Sequence, residues 1–424
     1  MMTNPKAQSP KPKSGHRSLV IGICVAGLLL RLAPLGRYVT PDEPAWVYRS
    51  IRFADALAAR DWAAVPSTGH PGVTTMWLGA LAVAVRRLLN PTESIAYLDW
   101  IRRLAWLAPE NGEAFRHLDF FLPWGRVAVA LVTTLGLVAV YPLLARLFDR
   151  RVALLAVGLL AFDPFLTGYS GLLHTDALLA TFSLLALVAV LNGLKELCAH
   201  DTRNAGVSPP DATHQAHACT TGTRPKEPRC AIWWALSGLF TGLALLTKTP
   251  ALILPPFVIL LLAIRHLQSA IRHSPFAIRH CSLFIVHCSL LILLAVITYL
   301  ALYPALWTEP ASTLRTLSAF AGRHVETVQR PIFFAGQMTH DPGPAFYPAV
   351  FLFRASPVVL IGLAIGLVQL HRLPADRRFA FLTLLAFAIL FSVVMSLGAK
   401  KHDRYLLPAF PPLTLAAALG WEYL

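Results

Sequence analysis

The chain has 424 residues, of which 56% are hydrophobic and 14% are charged, and its mean hydropathy is +0.57. This composition excludes an ordinary soluble domain, and stretches of about 20 apolar residues, the length of a membrane span, recur along the chain. A net charge of +15 would suggest nucleic acid in a soluble protein. Here the basic residues cluster at the ends of apolar segments, so membrane topology and lipid head groups explain the charge better, and no nucleic-acid partner is predicted.

The first apolar segment covers about residues 18–35 and follows a basic tail over residues 1–17. Positively charged flanks stay in the cytoplasm, so the N-terminus is predicted to be cytoplasmic. A signal peptide is the alternative, but residues 31–35 offer no small-residue cleavage site, which favours an uncleaved anchor. The adjacent carboxylates Asp42 and Glu43 would then face the outer side of the membrane.

The apolar stretch 73–89 is either a short span or a helix on the outer surface, because it ends in Arg86 and Arg87. The surface helix is favoured, since counting this stretch as a span would move almost every short basic loop to the outer side. The further predicted spans are 124–146, 152–171, 177–194, 232–247, 251–264, 282–304, 346–370, 379–397 and 406–421.

The predicted fold is therefore an all-α integral membrane protein with about ten transmembrane helices in one domain, residues 18–424. Residues 36–123 are expected to form an outer loop of amphipathic surface helices that covers a cavity. Residues 199–230 are expected to form a polar cytoplasmic linker. The predicted location is the plasma membrane.

This topology places four polar clusters on one outer face of the protein. Charged groups near a bilayer are costly and tend to be functional. The acids could activate an acceptor hydroxyl, and the bases could hold a leaving phosphate. The clusters are Asp42 and Glu43 with His70, His174-Thr175-Asp176, Thr247-Lys248-Thr249, and the run from Lys400 to Tyr405.

Each cluster also has a purely structural explanation. Asp42 could cap the helix that follows Pro41, and Asp176 could cap the fourth span. Lys248 could extend along apolar surface and place its amine in water. A solvated loop explains any single cluster, but the convergence of acids and bases on one face favours a functional site.

Five motifs in order along the chain carry a resemblance to a known family. They are Pro41-Asp42-Glu43, His70-Pro71-Gly72, His174-Thr175-Asp176-Ala177-Leu178-Leu179, Leu246-Thr247-Lys248-Thr249-Pro250 and Arg404-Tyr405-Leu406-Leu407-Pro408. Together they resemble the C superfamily of polyprenyl-phosphate-sugar-dependent glycosyltransferases. The most similar groups are the protein O-mannosyltransferases and the bacterial transferase that adds aminoarabinose to lipid A.

The resemblance implies sugar transfer, with inversion, from a polyprenyl-phosphate donor to a hydroxyl of a protein, lipid or glycan acceptor. It implies that Asp42 is the general base and that Glu43 orients the acceptor or supports Asp42. Asp176 matches the family's second outer-loop acid. Lys248, Lys400 and Arg404 are predicted to bind the phosphate. His174, Tyr405 and His70 are also predicted to bind substrate. Family members often carry Lys or a second Pro around the position of His70.

No cofactor or metal site is evident in the sequence, and dependence on a divalent metal is left open. His214, His217, Cys219 and Cys230 have loosely zinc-like spacing, but they lie in the polar linker, where a variable insertion is favoured. Relatives in the family often continue into further helices or an outer domain. The chain is therefore expected to be either a minimal catalytic module or a truncated protein.

A transporter or flippase of a lipid-linked or anionic substrate is the alternative function. Transporters typically show an internal repeat and helices broken near the middle of the bilayer, and neither pattern is detected in the sequence. A membrane scaffold is the second alternative, and it would need no outer acids.

Overall fold

The computed structural model of the chain describes residues 15–66, 70–103, 117–204, 228–272, 277–326, 331–398 and 400–423. The first half contains α1 (Gly15–Leu32), α2 (Glu43–Ala59), α3 (Val73–Leu89), α4 (Pro91–Arg103), α5 (Leu122–Leu147), α6 (Arg150–Phe162), α7 (Pro164–Ser170) and α8 (Thr175–Asn204), with a 3₁₀ turn at Trp62–Ala64.

The second half is also mainly helical. It contains α9 (Pro228–Thr247), α10 (Leu254–Arg272), α11 (Ala277–Leu302), α12 (Ala305–Thr308), α13 (Pro310–Glu326), α14 (Phe346–Arg354), α15 (Pro357–Val368), α16 (Ala375–Leu397) and α17 (Phe410–Trp421), with 3₁₀ turns at Thr249–Ile253 and Asp403–Ala409. Strands β1 (Ile332–Phe334) and β2 (Gln337–Thr339) form the sheet in this part.

Within the described residues, five helices are long and apolar enough to cross a membrane, and counting each of two bent pairs as one span raises the number to seven. The mostly helical fold agrees with the prediction. The number of about ten spans stays a prediction, as does the outer location of residues 36–123. The five helices are His117–Leu147, Thr175–Leu197, Thr249–Gln268, Leu283–Leu302 and Ala375–Leu397.

The two bent pairs break at proline. Helices α6 and α7 meet at 62°, where Asp163 accepts a hydrogen bond from the backbone N–H of Leu166 (2.8 Å) and Pro164 opens the new helix. Helices α14 and α15 meet at 112°, and here Pro357 follows Ser356, which caps α15. The α conformation is disfavoured for a residue that precedes proline, so the polypeptide turns at Asp163 and at Ser356. The predicted span 346–370 is therefore bent, not continuous.

Helix α8 forms the centre of the fold. In its segment Thr175–Leu197, 94% of the most apolar stretch of 18 residues is buried inside the protein. The corresponding share is 44% for His117–Leu147. It packs against α5, α9 and the 3₁₀ turn Asp403–Ala409. A helix that is apolar on all sides is typical of a buried position. The first turn of α8 carries Asp176, which places this acid at the end of the buried core.

Helices α15 and α17 approach each other closely because both present glycines. A Cβ on Gly362 would collide with Trp421 and with the carbonyl of Ala417, and a Cβ on Gly420 would collide with the backbone at Gly362. Gly362 and Gly366 are four residues apart and form the small-residue pattern that lets membrane helices pack backbone to backbone. This packing fixes α17 and the 3₁₀ turn that precedes it.

The all-α prediction needs one correction. Strands β1 and β2 pair antiparallel, with Phe333 opposite Met338 and Phe334 opposite Gln337. The turn between them uses Ala335 and Gly336, which both have positive φ (50° and 83°). This two-residue arrangement matches the twist of a hairpin. Three residues per strand are too few for alternating polarity to predict the hairpin.

Candidate active site

Glu43 is a buried anchor next to the predicted base. Its carboxylate accepts hydrogen bonds from Arg126 through Nε (2.7 Å) and Nη2 (2.6 Å), and both side chains are at most 1% exposed. Thr40 donates from its backbone and its hydroxyl (2.9 Å each), and the N–H of Leu173 donates at 3.1 Å. Burial raises the pKa of Glu43, but the bonds from Arg126 and Thr40 outweigh it and leave the pKa lowered. Glu43 is therefore a buried, fully bonded carboxylate directly after Asp42, and its predicted role in supporting Asp42 or orienting the acceptor stays a prediction.

Asp42 is the accessible carboxylate of the pair, with 41% of its side chain exposed. It precedes α2 but makes no side-chain capping bond, so the capping alternative does not describe it. Its Oδ2 lies 2.7 Å from Arg404 Nη2 and 3.3 Å from His174 Nε2. The hydrogen bond from His174 and the charge of Arg404 lower the pKa of Asp42 against the effect of partial burial. Asp42 is thus ionised and reachable.

Asp176 is the buried acid of the site. Its Oδ2 lies 2.9 Å from His174 Nδ1, and its Oδ1 accepts a hydrogen bond from Lys248 Nζ at 2.6 Å. The Asp176 and Lys248 side chains are 1% and 3% exposed. The amine of Lys248 also lies 4.3 Å from the centre of the Tyr405 ring, within cation–π range. Lys248 therefore does not extend to water, and its position favours neutralisation of Asp176 over contact with a phosphate.

Arg404 joins the two acids. Its Nη2 meets Asp42, and its Nε lies 3.7 Å from Asp176. Burial lowers the pKa of Arg404, but the charges of Asp176 and Asp42 outweigh this effect and leave the pKa raised. The neighbouring Tyr405 is 9% exposed, and burial raises its pKa to about 12. Tyr405 is therefore a neutral phenol at physiological pH. Arg404 comes from the 3₁₀ turn Asp403–Ala409, which is held by α17.

The His70-Pro71-Gly72 segment is fixed to the turn that carries Lys248. The N–H of Gly72 donates to the carbonyl of Thr247 (3.2 Å), and a Cβ on Gly72 would collide with the ring of Trp46. Gly72 also has a φ of +60°, which side-chain-bearing residues rarely adopt. His70 itself packs edge-on against Phe320 of α13 (5.7 Å between ring centres). A role for His70 in substrate binding stays a prediction.

Lys400 is half-buried and lies near His402. The next residue, Lys401, forms an ion pair. Lys401 Nζ lies 2.7 Å from Asp341 Oδ1, and the Lys401 side chain is 4% exposed. Nothing in the sequence indicated that Asp341 is the partner of Lys401. The predicted phosphate contact of Lys400 stays a prediction.

Sequence analysis missed two arginines at the site. Arg126 lies near the start of a predicted span, and Arg354 lies inside another. An arginine within an apolar stretch is the signal that could have indicated both, because such residues usually pair. Arg354 Nη2 binds Asp403 at 2.6 Å, and its guanidinium lies 5.5 Å from the Phe165 ring centre.

A cavity of about 710 Å³ is lined by Pro41, which precedes Asp42, and by His174 and Arg404, which contact Asp42. Its volume lies in the range of small-molecule sites. Its lining includes the charged or polar residues Arg354, Arg404 and His174 and is otherwise mainly apolar and aromatic. The remaining lining residues are Tyr38, Thr40, Pro164, Phe165, Gly168, Tyr169, Leu172, Phe353, Ala355, Ser356, Pro357 and Asp403.

The described residues contain no group of three His, Cys, Asp or Glu side chains arranged to hold a metal ion. The zinc-like spacing noted above involves His214, His217 and Cys219, which lie outside the described residues. Two cysteines within them, Cys24 and Cys288, are unpaired thiols.

Comparison with known families gives one match. Residues 124–201 match the family described as dolichyl-phosphate-mannose-protein mannosyltransferase. The match covers α5 to α8, and it contains Arg126, His174 and Asp176. No curated protein sequence matches the chain.

Solved structures extend the similarity to the whole fold. ArnT from Cupriavidus metallidurans, bound to undecaprenyl phosphate, has a TM-score of 0.58 and 18% identity, over 97% of this chain and 61% of that protein. The oligosaccharyltransferase of Archaeoglobus fulgidus without ligand has a TM-score of 0.52 and 16% identity, over 97% of this chain and 50% of that protein. The chain thus spans one half to three fifths of the length of these structures.

A second archaeal structure is AglB from Archaeoglobus fulgidus in complex with an inhibitory peptide and a dolichol-phosphate, with a TM-score of 0.50 and 16% identity, over 97% of this chain and 50% of that protein. The fold and the family match together define a protein that resembles the membrane glycosyltransferases of the C superfamily. Within that class it resembles the O-mannosyltransferases and ArnT, as the five motifs predicted.

Proposed function

We propose that the protein is a membrane glycosyltransferase that moves a sugar from a polyprenyl-phosphate donor to a hydroxyl acceptor. The observation that supports this most directly is the environment of Asp42. It is an ionised, accessible carboxylate, held by Arg404 and His174, beside a cavity that combines two guanidiniums with apolar walls. A donor with an anionic head and a hydrocarbon tail has the same division of polarity.

The proposed reaction is an inverting displacement with Asp42 as general base. Because Oδ2 is held by Arg404 and His174, Oδ1 is available to take the proton of the acceptor hydroxyl. The acceptor oxygen forms a bond to the anomeric carbon, and the bond from that carbon to the phosphate oxygen breaks. The electron pair stays on the polyprenyl phosphate, which gains negative charge.

Arg404 and Arg354 are the proposed partners of that phosphate. Both line the cavity, and guanidinium groups suit phosphate oxygens because they donate two parallel hydrogen bonds. Arg354 is 53% exposed on its side chain, so it can change partner from Asp403 to an incoming anion with little rearrangement. The apolar chain of the donor would follow Phe165 and the exposed Phe353.

The proposed arrangement in the cell follows the distribution of basic loops. The N-terminus would be cytoplasmic, the protein would lie in the plasma membrane, and the site would face the outer side, where a lipid-linked donor is presented. Residues 18–424 would form one transferase domain, with residues 36–123 as its outer loop. The similar structures bind undecaprenyl phosphate or dolichol-phosphate, and one binds an inhibitory peptide, which supports a lipid-phosphate donor and a protein acceptor.

The test is donor consumption by the purified protein in lipid. Wild type and Asp42→Asn would be incubated with labelled polyprenyl-phosphate-hexose, and crude cell envelope would supply the acceptor. Loss of label from the lipid with wild type alone, together with a labelled product, is expected. Equal consumption by the Asn variant would remove Asp42 as the base. Movement of intact labelled lipid between leaflets without consumption would favour the transporter alternative.

A further inference from the structure

His174 lies between two carboxylates of different exposure. Its Nε2 faces Asp42 Oδ2 at 3.3 Å, and its Nδ1 faces Asp176 Oδ2 at 2.9 Å. The ring is 8% exposed, and the indole of Trp46 packs against it edge-on, with 6.2 Å between ring centres and an interplanar angle of 84°. A carboxylate oxygen thus lies within ion-pair distance of each ring nitrogen.

Only a doubly protonated imidazole can donate from both nitrogens. A neutral ring would direct one lone pair at a carboxylate oxygen. The charged groups around the ring come from three elements: Asp42 before α2, Asp176 on α8 with Lys248 behind it, and Arg404 on the 3₁₀ turn. Burial and Arg404 lower the pKa of His174, but the charge of Asp176 and the hydrogen bonds to both acids outweigh them and raise it.

We propose that His174 is a positioning residue that, as an imidazolium, clamps Asp42 to the buried Asp176 and sets an upper pH limit for the site. The clamp fixes Oδ2 of Asp42, so that Oδ1 points to the acceptor. Asp176 is itself immobile because Lys248 holds its other oxygen. The kinetic consequence rests on the proposed function, whereas the clamp itself does not.

The pH dependence has a definite sign. The pKa of His174 in the folded protein lies above the ordinary value of about 6.5. The clamp therefore contributes fully below about pH 6.5, and it is lost as the pH rises through the folded-state value. Activity that needs a fixed Asp42 should fall over the same alkaline range.

The first test is a titration of ring-labelled histidine by NMR, with the full chain in lipid nanodiscs. The His174 signal is assigned as the one missing in His174→Asn, or, where that variant does not fold, as the one missing in His174→Gln. We expect the pKa of His174 to lie clearly above 6.5 and to fall in Asp42→Asn. A titration at or below 6.5, or one unchanged by Asp42→Asn, overturns the clamp.

The second test is the pH profile of kcat/KM for donor consumption. The activity of wild type should fall at alkaline pH, with an apparent pKa equal to the one that NMR gives for His174. His174→Asn should be slower by roughly 10- to 100-fold, because the base is mispositioned, and should lack that alkaline limb. The exposed His371, after α15, gives a matched control, since His371→Asn should keep the limb. An alkaline limb that persists in His174→Asn overturns the proposal. Absence of donor consumption in every variant would contradict the proposed function, and the NMR titration would still decide the clamp.

Discussion

Asp42 and Glu43 are adjacent and carry the same chemical group, yet the fold places them in opposite environments. The side chain of Asp42 is 41% exposed and shares its oxygen with His174 and Arg404. The side chain of Glu43 is fully buried and bound by Arg126. The comparison teaches that the fold can give two neighbouring acids opposite environments, which supports the proposed roles of Asp42 as base and of Glu43 as its buried anchor.

Glu43 is linked to the backbone next to both Asp42 and His174. Glu43 follows Asp42 directly and also accepts the N–H of Leu173, which precedes His174. One buried carboxylate therefore fixes both ends of the contact between Asp42 and His174. Loss of Glu43 or of Arg126 should disturb the distance on which the proposed base depends.

The two largest expected effects are a loss of stability when Glu43 loses Arg126 and a loss of turnover when Asp42 is replaced. Arg126→Met leaves Glu43 charged and unpaired in the interior, so the free energy of unfolding should fall by about 3–5 kcal/mol. Asp42→Asn should leave the melting temperature nearly unchanged and lower turnover by roughly 10²- to 10⁴-fold. Thermal denaturation in detergent and donor consumption measure the two effects. The double variant Arg126→Met with Glu43→Gln should recover part of the stability. An Arg126→Met protein of normal stability would show that Glu43 is not the anchor.

A smaller loss is expected at the second buried ion pair. Lys248→Met removes one partner of Asp176, but His174 and Arg404 stay near that acid. The free energy of unfolding should fall by about 1–3 kcal/mol, the range for a buried polar group that loses a partner. Adding Asp176→Asn to Lys248→Met should not double this loss, because the uncompensated charge is gone. Strictly additive losses in the double-mutant cycle would contradict direct coupling.

The proposed phosphate contact of Arg354 should have an effect on the donor KM. Because this side chain is more than half exposed, Arg354→Gln should raise the KM by roughly 3- to 10-fold and leave kcat within about twofold. The exposed Arg372, after α15, provides the matched control Arg372→Gln. An equal rise of KM in both variants would indicate a general loss of positive charge and not a specific contact.

The smallest effect is expected at the ion pair between Asp341 and Lys401. Asp341 pairs with Lys401, and the Asp341 side chain is 66% exposed, so Asp341→Asn should change the free energy of unfolding by less than about 1 kcal/mol. The hydrogen bond from Lys401 lowers the pKa of Asp341. The pair therefore contributes above the ordinary carboxylate pKa and weakens as the pH falls through the lowered one. Melting temperatures of wild type and variant, measured from about pH 7 to about pH 2, would converge at the acid end. Divergence there would contradict the assignment.

The sequence predicted much of this site because the chemistry lies in short local motifs. Asp42, Asp176 and Arg404 were expected on one face, and the structure brings them within hydrogen-bonding or ion-pair distance. The turn at Lys248 also lies where it was predicted, between two helices. The sequence could not predict that Lys248 is turned inward, because an amine beside apolar residues can equally extend to water.

The missed features all depend on long-range pairing. Arg126 pairs with Glu43, which lies 83 positions away in the sequence, and hydropathy carries no information about such a partner. Arg354 is a single charge in an apolar stretch, so the stretch was predicted to continue through the bend at Ser356 and Pro357. Charge in the middle of an apolar stretch and proline after a capping residue are local signals, but neither indicates the tertiary partner.

The charged cluster also has a consequence for the order in which the protein is made. Its members arrive at positions 42, 174, 176, 248 and 404, so the two acids emerge long before the arginine that joins them. Until the turn that carries Arg404 is inserted, Asp42 lacks the 2.7 Å contact with Arg404. The contacts of Arg404 with both acids therefore form only after the 3₁₀ turn Asp403–Ala409 has been made.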